Sequence, residues 1–457
     1  MLCSVVILAA GQGKRMQSKK SKVLHTLANR SFIEHVTLTA QQLNPNKLIV
    51  IHGHLGEQVQ EALSSYKITW AEQMPPQGTG HAVQQALPHL AETGVTVILY
   101  GDVPLITLDT LKKMVEKAEK NSLVLLTEIM NDPTGYGRVL RNNQNNVIGI
   151  IEHKDATEEQ RKIAEVNTGM MAVPTTWLHK YLPYLNNNNV QKEYYLTDLI
   201  KMVVDEGNSV DTLFPQYSWE VTGVNDRLQQ AELEREYQKY QAENLMRLGV
   251  SLRDPSRFDL RGSLECDQDV EIDVNCIFEG SVKLGANVKI GPYCFIRNAE
   301  IAANTCIEPY SHIDGAKIGE NGKIGPFSRL RPGTILAEHV HVGNFVELKN
   351  SQVDAYSKAN HLSYLGDASI GKRVNIGAGT ITCNYDGVNK HKTIIEDDVF
   401  IGSSTQLVAP LTLKKGVTVA AGTTVWKDVH DENALILNVK EQRSRLSWLR
   451  PCKSEGK

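Results

Sequence analysis

Between Val270 and Val425 the aliphatic residues of this chain return every six positions, and few folds satisfy that spacing. Ile272, Phe278, Leu284, Ile290 and Ile296 fall six apart; after a one-residue shift come Ile301, Ile307 and Ile313. After another shift Ile318, Ile324, Leu330, Leu336, Val342 and Leu348 follow. Ile370 and Ile376 restart the beat, and Ile401, Leu407, Leu413, Val419 and Val425 end it. A buried helix face repeats near 3.6 residues and a half-buried strand at 2, so neither explains a six. A hexapeptide repeat fits a parallel β-helix, in which each short strand turns onto the next face. Three units close one triangular coil, and coils stack at roughly 4.8 Å, the ordinary inter-strand spacing.

The residue four positions after each aliphatic is small or β-branched and is expected to point inward too: Cys276, Val282, Val288, Cys294, Ser328 and Ser369. The spacing of Cys276 and Cys294 stacks them on adjacent coils, where unpaired thiols fill a narrow corner. The hexads lapse twice, over 350–370 and 382–394, and both stretches are polar. Polar insertions leaving a coil are commonly functional loops. The first holds His361, although an isolated histidine is also an ordinary surface residue. The repeat resembles that of the hexapeptide-repeat acyltransferases. That resemblance implies a left-handed coil, against the usual right-handed crossover, and assembly into a homotrimer.

A chain of 457 residues with 41% hydrophobic content supports two or three domains with real cores. A net charge of −3 predicts neither nucleic-acid binding nor attachment to a membrane surface. The seven cysteines form no CxxC and no zinc-type spacing, so reduced thiols and a cytoplasmic setting are expected. Met1–Ala10 is apolar but lacks a basic leader, which makes it a buried strand rather than a signal peptide. No run is long enough to span a bilayer.

The first half alternates apolar runs with amphipathic ones. Ser4–Leu8, Leu48–Ile51, Val95–Tyr100 and Leu123–Ile129 read as strands; Phe32–Leu43, Glu57–Leu63, Gly80–Leu90 and Asp109–Lys120 read as helices. Such alternation predicts a parallel sheet covered by helices on both faces, with ligands at the carboxyl ends of the strands. Leu8-Ala9-Ala10-Gly11-Gln12-Gly13-Lys14-Arg15-Met16 follows the first strand. Its glycines let backbone amides approach a ligand, and Lys14, Arg15 and the downstream Lys22 make the loop cationic. It lacks the third glycine of a dinucleotide fingerprint, and no GxxxxGK[ST] occurs anywhere. Tyr100-Gly101-Asp102-Val103-Pro104-Leu105 places a carboxylate at the end of a buried strand, where a cation is needed to offset its burial. Mg²⁺ takes one or two protein oxygens and completes its shell with water and phosphate.

LAAGxGxRM, the downstream lysine and GDxPL together resemble the sugar-1-phosphate nucleotidyltransferases. The resemblance implies a Rossmann-like fold and assigns nucleotide contacts to Leu8, Ala9, Ala10, Gly11, Lys22, Gln73, Gly78, Thr79, Tyr100, Gly101 and Asp102. It assigns sugar contacts to Gly137, Glu152 and Asn167, and Mg²⁺ to Asp102 and Asn225. Arg15 would act in catalysis. Gly, Asn and Thr are also common turn residues, so the weight lies on the ordered set.

Asn225–Leu248 contains neither Gly nor Pro and reads as one helix of roughly 35 Å, a strut between two sites. The expected division is a nucleotidyltransferase domain over 1–225, a helical linker over 226–250 and a β-helix acyltransferase domain over 251–457, which the resemblance below makes a uridyltransferase and an acetyltransferase.

Both halves, in this order, resemble the bifunctional family that acetylates glucosamine 1-phosphate and then uridylates the product. The resemblance implies acetyl-CoA and UTP as co-substrates and a role in supplying cell-wall synthesis. His361 would be the general base, oriented by Glu347; imidazole suits the task and such a base supplies ~10²–10⁴-fold. Arg331 and Lys349 would hold the sugar phosphate, with Tyr364, Asn375, Asn384 and Tyr385 around the sugar. Asn384 and Tyr385 would also reach the acetyl-CoA cleft lined by Ala378, Ser403 and Ala421. The loop around Asn384 would reach a neighbouring subunit, placing the acetyl site at a trimer interface. Where the family usually has an arginine this chain has Asn438, with Lys440 two residues on, and its basic tail from Arg443 is expected to be mobile. Two rivals remain at this stage: a β-helix serving only assembly or regulation, and a metal site built from His339, His341 and His361.

Overall fold

The computed structural model describes residues 2–11, 13–438 and 444–448. Two compact units divide between Tyr240 and Gln241, inside the helix Arg227–Arg247. Lys440 and Arg443, with the behaviour expected of the tail, lie outside the described residues.

In the first unit nine strands form one sheet. They are β1 (Cys3–Leu8), β2 (Lys47–His52), β3 (Thr69–Glu72), β4 (Val95–Tyr100), β5 (Leu123–Ile129), β6 (Gly137–Arg141), β7 (Val147–Ile151), β8 (Glu165–Pro174) and β9 (Val210–Leu213). The order is β9-β5-β8-β4-β1-β2-β3, with the β6–β7 hairpin added through β8. Val5, Val6 and Ile7 of β1 are all fully buried, as befits a central strand covered on both faces. One face packs against α1 (Phe32–Gln41), α2 (Gly56–Ala62) and α4 (Leu108–Ala118). The other packs against α3 (Thr79–Ala86), α5 (Thr175–Tyr181) and α6 (Asp198–Asp205). In α4, Leu111, Met114 and Ala118 recur at helical spacing on the buried side, and the Thr107 side chain caps its first turn by accepting from Thr110 N at 3.3 Å.

The expected parallel pairing holds among β4, β1, β2 and β3 and between β5 and β9, but the sheet as a whole is mixed. β8 runs antiparallel between β4 and β5. Its Asn-Thr-Gly centre reads as a turn, yet the strand passes through it by shifting register between Asn167 and Met171.

The second unit is a parallel β-helix, and the sixes map onto three inward columns. Ile272, Ile290, Ile307, Ile324, Val342, Ala359, Ile376, Ile401, Val419 and Ile436 succeed one another on one face. A second column begins Phe278, Ile296, Ile313, Leu330, Leu348, and a third begins Leu284, Ile301, Ile318, Leu336, Val353. All belong to one core except Ile436, which is partly buried against it. Cys276 and Cys294 are buried and unpaired. Buried hydroxyls at the small inward position bond backbone carbonyls, Ser328 to Gly343 O at 2.7 Å and Ser357 to Gly371 O at 2.6 Å, so burial leaves them satisfied.

Two expectations fail here. Residues 350–370 do not leave the coil: Val353, Ala359 and Leu365 occupy inward positions in register with Leu336, Val342 and Leu348. One-residue shifts and a small alanine hide the repeat. Ser369 is only half-buried; the same shift gives its inward place to Ala368. The second lapse is a real excursion. Cys383 ends a strand, the loop turns through the Tyr385–Lys390 bridge, and Thr393–Ile395 rejoins the stack beside Ala368–Ile370.

Candidate active sites

In the first unit the carboxyl ends of β1 and β4 define a cleft of about 520 Å³ lined by Leu8, Ala9, Ala10, Gly11, Lys22, Gln73, Gly78, Thr79, Tyr100 and Asp102. Ala9 N donates to Ile51 O at 2.8 Å and Gly101 N to Leu8 O at 2.9 Å, which carries the sheet pattern into the loops. Gly13 has φ +59, and a Cβ there would lie 2.5 Å from Lys22 Cβ; the glycine lets the loop close over the lysine. The Lys22 ammonium pairs with Asp102 and donates to Asn225 Oδ1 at 2.8 Å. Val224 N donates to Asp102 O at 2.9 Å, tying the two loops together. One carboxylate oxygen and one amide oxygen therefore converge on a single cationic centre. Two hard oxygen donors of this kind fit Mg²⁺, which takes its remaining ligands from water and phosphate.

Gln73 is buried and donates to Gly78 O at 2.9 Å, holding the loop that starts α3. A second cluster joins the first through Tyr100. Asn167 pairs with Gly137 across β8 and β6, and a Cβ on Gly137 would sit 3.4 Å from a Glu152 oxygen. Burial, foremost, raises the Glu152 pKa, with Asp155, Asp198 and Glu193 adding to the rise; Thr197 Oγ1 donates to it at 2.9 Å and opposes the rise. Burial pushes the Tyr100 hydroxyl up, and the charges of both Glu152 and Asp102 act on it in the same direction. A Cβ on Gly169 would lie 2.7–2.8 Å from the Tyr100 ring. Arg15 stands exposed on the short helix Lys14–Met16 and does not line the cleft.

On the β-helix, one edge carries a column of candidate residues. Asn344 is the register partner of His361. Gly379 N then donates to Leu362 O at 3.0 Å, Ser404 N to Ala378 O at 2.7 Å and Gly422 N to Ser403 O at 2.8 Å. His361, Ala378, Ser403 and Ala421 thus belong to successive coils. A Cβ on Gly402 would lie 2.5 Å from Ala421 N, and one on Gly377 2.6 Å from Ser403 N, so this corner is kept bare of side chains. Asn375 belongs to the strand beside Lys358, on the same face.

The expected pairing of Glu347 with His361 is corrected. Glu347 accepts from Arg331 Nη1 at 2.9 Å and lies 3.7 Å from Arg329, while His361 Nδ1 bonds Asn344 Oδ1 at 2.8 Å. Arg331 and Lys349 do come together, joined by Lys390 from the 384–392 loop. The adjacent Lys390 ammonium, chiefly, and then Arg331 hold Lys349 below the ordinary lysine range, with Asp367 opposing. Three cations here face two carboxylates, Asp367 and the Arg331-paired Glu347, which leaves a positive excess suited to an anion. Asp367 accepts from Asn384 Nδ2 at 2.5 Å and Asn350 Nδ2 at 2.6 Å, which anchors the loop. Tyr364 is half-buried on the strand paired with Glu347, and Tyr385 is exposed. Asn438 Oδ1 accepts from Thr424 N at 2.7 Å, so the residue at the family's arginine position binds the last coil. The metal reading of the histidines finds no support: His339 is exposed and stacks on Tyr356. No cluster of three or more His, Cys, Asp or Glu suited to a metal occurs among the described residues.

Family models match three stretches: a MobA-like NTP transferase domain over 5–148, a GMPPB C-terminal domain over 260–364 and a hexapeptide repeat of succinyl-transferase over 392–427. Bifunctional protein GlmU of Nitrosospira multiformis is 53% identical over 98% of both chains. Those of Burkholderia vietnamiensis and Paraburkholderia xenovorans are 54% and 53% identical over 99% of this chain and 100% of their own. The chain belongs to the GlmU family of bifunctional proteins. Like other members it joins a nucleotidyltransferase domain to a hexapeptide-repeat transferase domain. Among the described residues no helix is long and apolar enough to cross a membrane.

Reading the sequence for GlmU-type chemistry misses Asn344, Lys390 and the segment bearing Glu193 and Thr197. A Cβ on Gly78 would meet Tyr194 O at 2.6 Å, and Gly80 N donates to Tyr194 O at 2.8 Å, so this distant stretch forms one wall of the cleft. No local motif marks it. Asn344 carries a signal: it lies seventeen residues before His361, one coil away.

Proposed function

We propose that this chain performs two consecutive transfers. On the β-helix, the amine of glucosamine 1-phosphate attacks the thioester carbonyl of acetyl-CoA. His361 takes the amine proton, the carbon–sulfur bond breaks, and coenzyme A leaves. Arg331, Lys349 and Lys390 hold the sugar phosphate, Tyr364, Asn375, Asn384 and Tyr385 surround the sugar, and the bare corner at Ala378, Ser403 and Ala421 admits the acetyl-CoA chain. In the first unit, the phosphate of N-acetylglucosamine 1-phosphate attacks the α-phosphorus of UTP and pyrophosphate leaves, giving UDP-N-acetylglucosamine. Gln73, Gly78 and Thr79 face the nucleotide, Gly137, Glu152 and Asn167 face the sugar, and Lys22 stabilises the phosphates electrostatically, with Arg15 acting from the exposed loop beside the cleft. Asp102 and Asn225 would hold Mg²⁺, which when bound neutralises phosphate charge.

One observation carries the reading. One chain holds both Lys22–Asp102–Asn225 in a nucleotidyltransferase cleft and His361 on the edge of a parallel β-helix. The divisions 1–225, 226–250 and 251–457 are taken as the functional ones. The active form is proposed to be a cytoplasmic homotrimer with the 384–392 loop reaching a neighbouring subunit. An edge of stacked, half-exposed rings supports assembly: Tyr293, Tyr310, Phe327 and Phe345 follow one another at centroid spacings of 5.0, 4.9 and 5.4 Å.

The test is a coupled assay with glucosamine 1-phosphate, acetyl-CoA, UTP and Mg²⁺, following free thiol and pyrophosphate separately. Both signals are expected, with pyrophosphate depending on acetyl-CoA. Pyrophosphate from supplied N-acetylglucosamine 1-phosphate without thiol release would leave the β-helix structural, and neither signal would overturn the proposal.

A further inference from the structure

We infer that Asn344 is the positioning residue for the acetyl-transfer base, setting both the direction and the tautomer of the His361 ring. The inference rests on the reading of His361 as that base. The strands His341–Asn344 and Lys358–His361 pair in parallel with Asn344 directly opposite His361, and Asn344 Oδ1 lies 2.8 Å from His361 Nδ1. His361 is exposed, so packing alone does not stop the ring rotating. Ser363 Oγ donates to His361 O at 2.9 Å and so restrains its backbone. Restraint of the ring comes from Asn344. An amide oxygen only accepts, so in this arrangement the proton is on Nδ1 and the lone pair on Nε2. With the amide turned over, its NH₂ would demand a lone pair on Nδ1 and leave Nε2 protonated, unable to accept the amine proton.

Glu347 does not perform this task, because its carboxylate is taken by Arg331 and Arg329. The distinction has chemical content. A carboxylate behind the ring stabilises the imidazolium, as in a serine-protease triad; a neutral amide orients the ring and adds no charge. The titratable group that interacts with the ring from the paired strand is His341. The next strand, Asn375–Ile376, brings none.

The test measures acetyl transfer as thiol release, in the full-length protein, for Asn344→Ala, Asn344→Asp and His361→Ala. Asn344→Ala is expected to lower kcat ~10–10²-fold with KM for glucosamine 1-phosphate within about twofold, less than the ~10⁴-fold loss when a wrong tautomer is locked in. Asn344→Asp, nearly isosteric, is expected to keep most activity near neutral pH. It should shift the acid limb of the kcat profile upward by about one pH unit, because a carboxylate keeps the ring protonated to higher pH. Wild-type kcat in Asn344→Ala, or an unmoved limb in Asn344→Asp, would overturn the assignment. If His361→Ala itself retains acetyl transfer, the base reading fails first. Loss in His361→Ala with none in Asn344→Ala overturns the positioning role alone.

Discussion

The two candidate sites are built in opposite ways. In the nucleotidyl cleft Lys22 bridges Asp102 and Asn225, and Glu152 accepts from Thr197 among the carboxylates of Asp155, Asp198 and Glu193. Residues distant in sequence meet there because loops from several strand ends converge. On the β-helix most functional groups arrive by stacking, one coil at a time, and with Lys390 from the excursion the cations Arg331, Lys349 and Lys390 outnumber the carboxylates Glu347 and Asp367. The site assembled from loops pairs its lysine with a carboxylate and keeps an acidic cluster beside it. A site assembled from a repeat inherits its spacing from the coil and stays charge-unbalanced, with an affinity for anions built in.

The sharpest test of this separation is reciprocal. Asp102→Ala is expected to lower uridylyl transfer by at least ~10³-fold, roughly 4 kcal/mol of barrier, with acetyl transfer unchanged in the same preparation. His361→Ala should lower acetyl transfer ~10²–10⁴-fold and leave uridylyl transfer intact. Cross-loss in either variant would show that the two sites are not independent. A smaller effect is expected from Lys349→Met, which should raise KM for glucosamine 1-phosphate about tenfold in steady-state kinetics. Added salt should weaken wild-type binding more than the variant's, as for an exposed cation cluster. In the cleft, Gly169→Ala adds a Cβ against the Tyr100 ring at φ +88. It is expected to lower uridylyl transfer about tenfold and to destabilise by about 1–3 kcal/mol, measured by thermal melting.

The smallest effect is a pH dependence. Burial raises the Glu152 pKa in the folded protein. Its stabilising share is therefore present while the carboxyl is protonated and is lost as pH rises through the raised pKa. Glu152→Gln, which keeps an acceptor for Thr197, should gain melting temperature relative to the parent as pH rises above the ordinary glutamate range, by ~2 °C. A difference constant with pH would show that Glu152 titrates alike in both states.

Much of this contrast was legible in the sequence, and unevenly so. The columns on the β-helix follow from a strict period, and every bulky hexad residue named from Ile272 to Val425 is buried. The apparent lapse at 350–370 hides an unbroken coil because Ala359 is too small to mark an inward position and single-residue shifts break the count. The loop motifs ending β1 and β4 were readable because glycines and an isolated Asp are costly there without a ligand. The wall at Glu193–Thr197 was not, since its place depends on a backbone contact with a segment more than a hundred residues earlier. Glu347 and Asn344 show the remaining limit. Both lie within one coil of His361, and only side-chain geometry decides which of them reaches the ring.

Ile376 and Ile401 are successive members of one inward column, yet 25 residues separate them where neighbouring steps take seventeen or eighteen. The surplus leaves the coil after Cys383 and returns at Thr393 without disturbing the pairing above or below. Length at a corner is therefore a free variable for this architecture: lineages can lengthen, trim or exchange that segment while inheriting the stack unchanged. Lys390 reaches the anion cluster on such a removable piece, so substrate preference on this scaffold can drift by insertion and deletion, without a single change in its core.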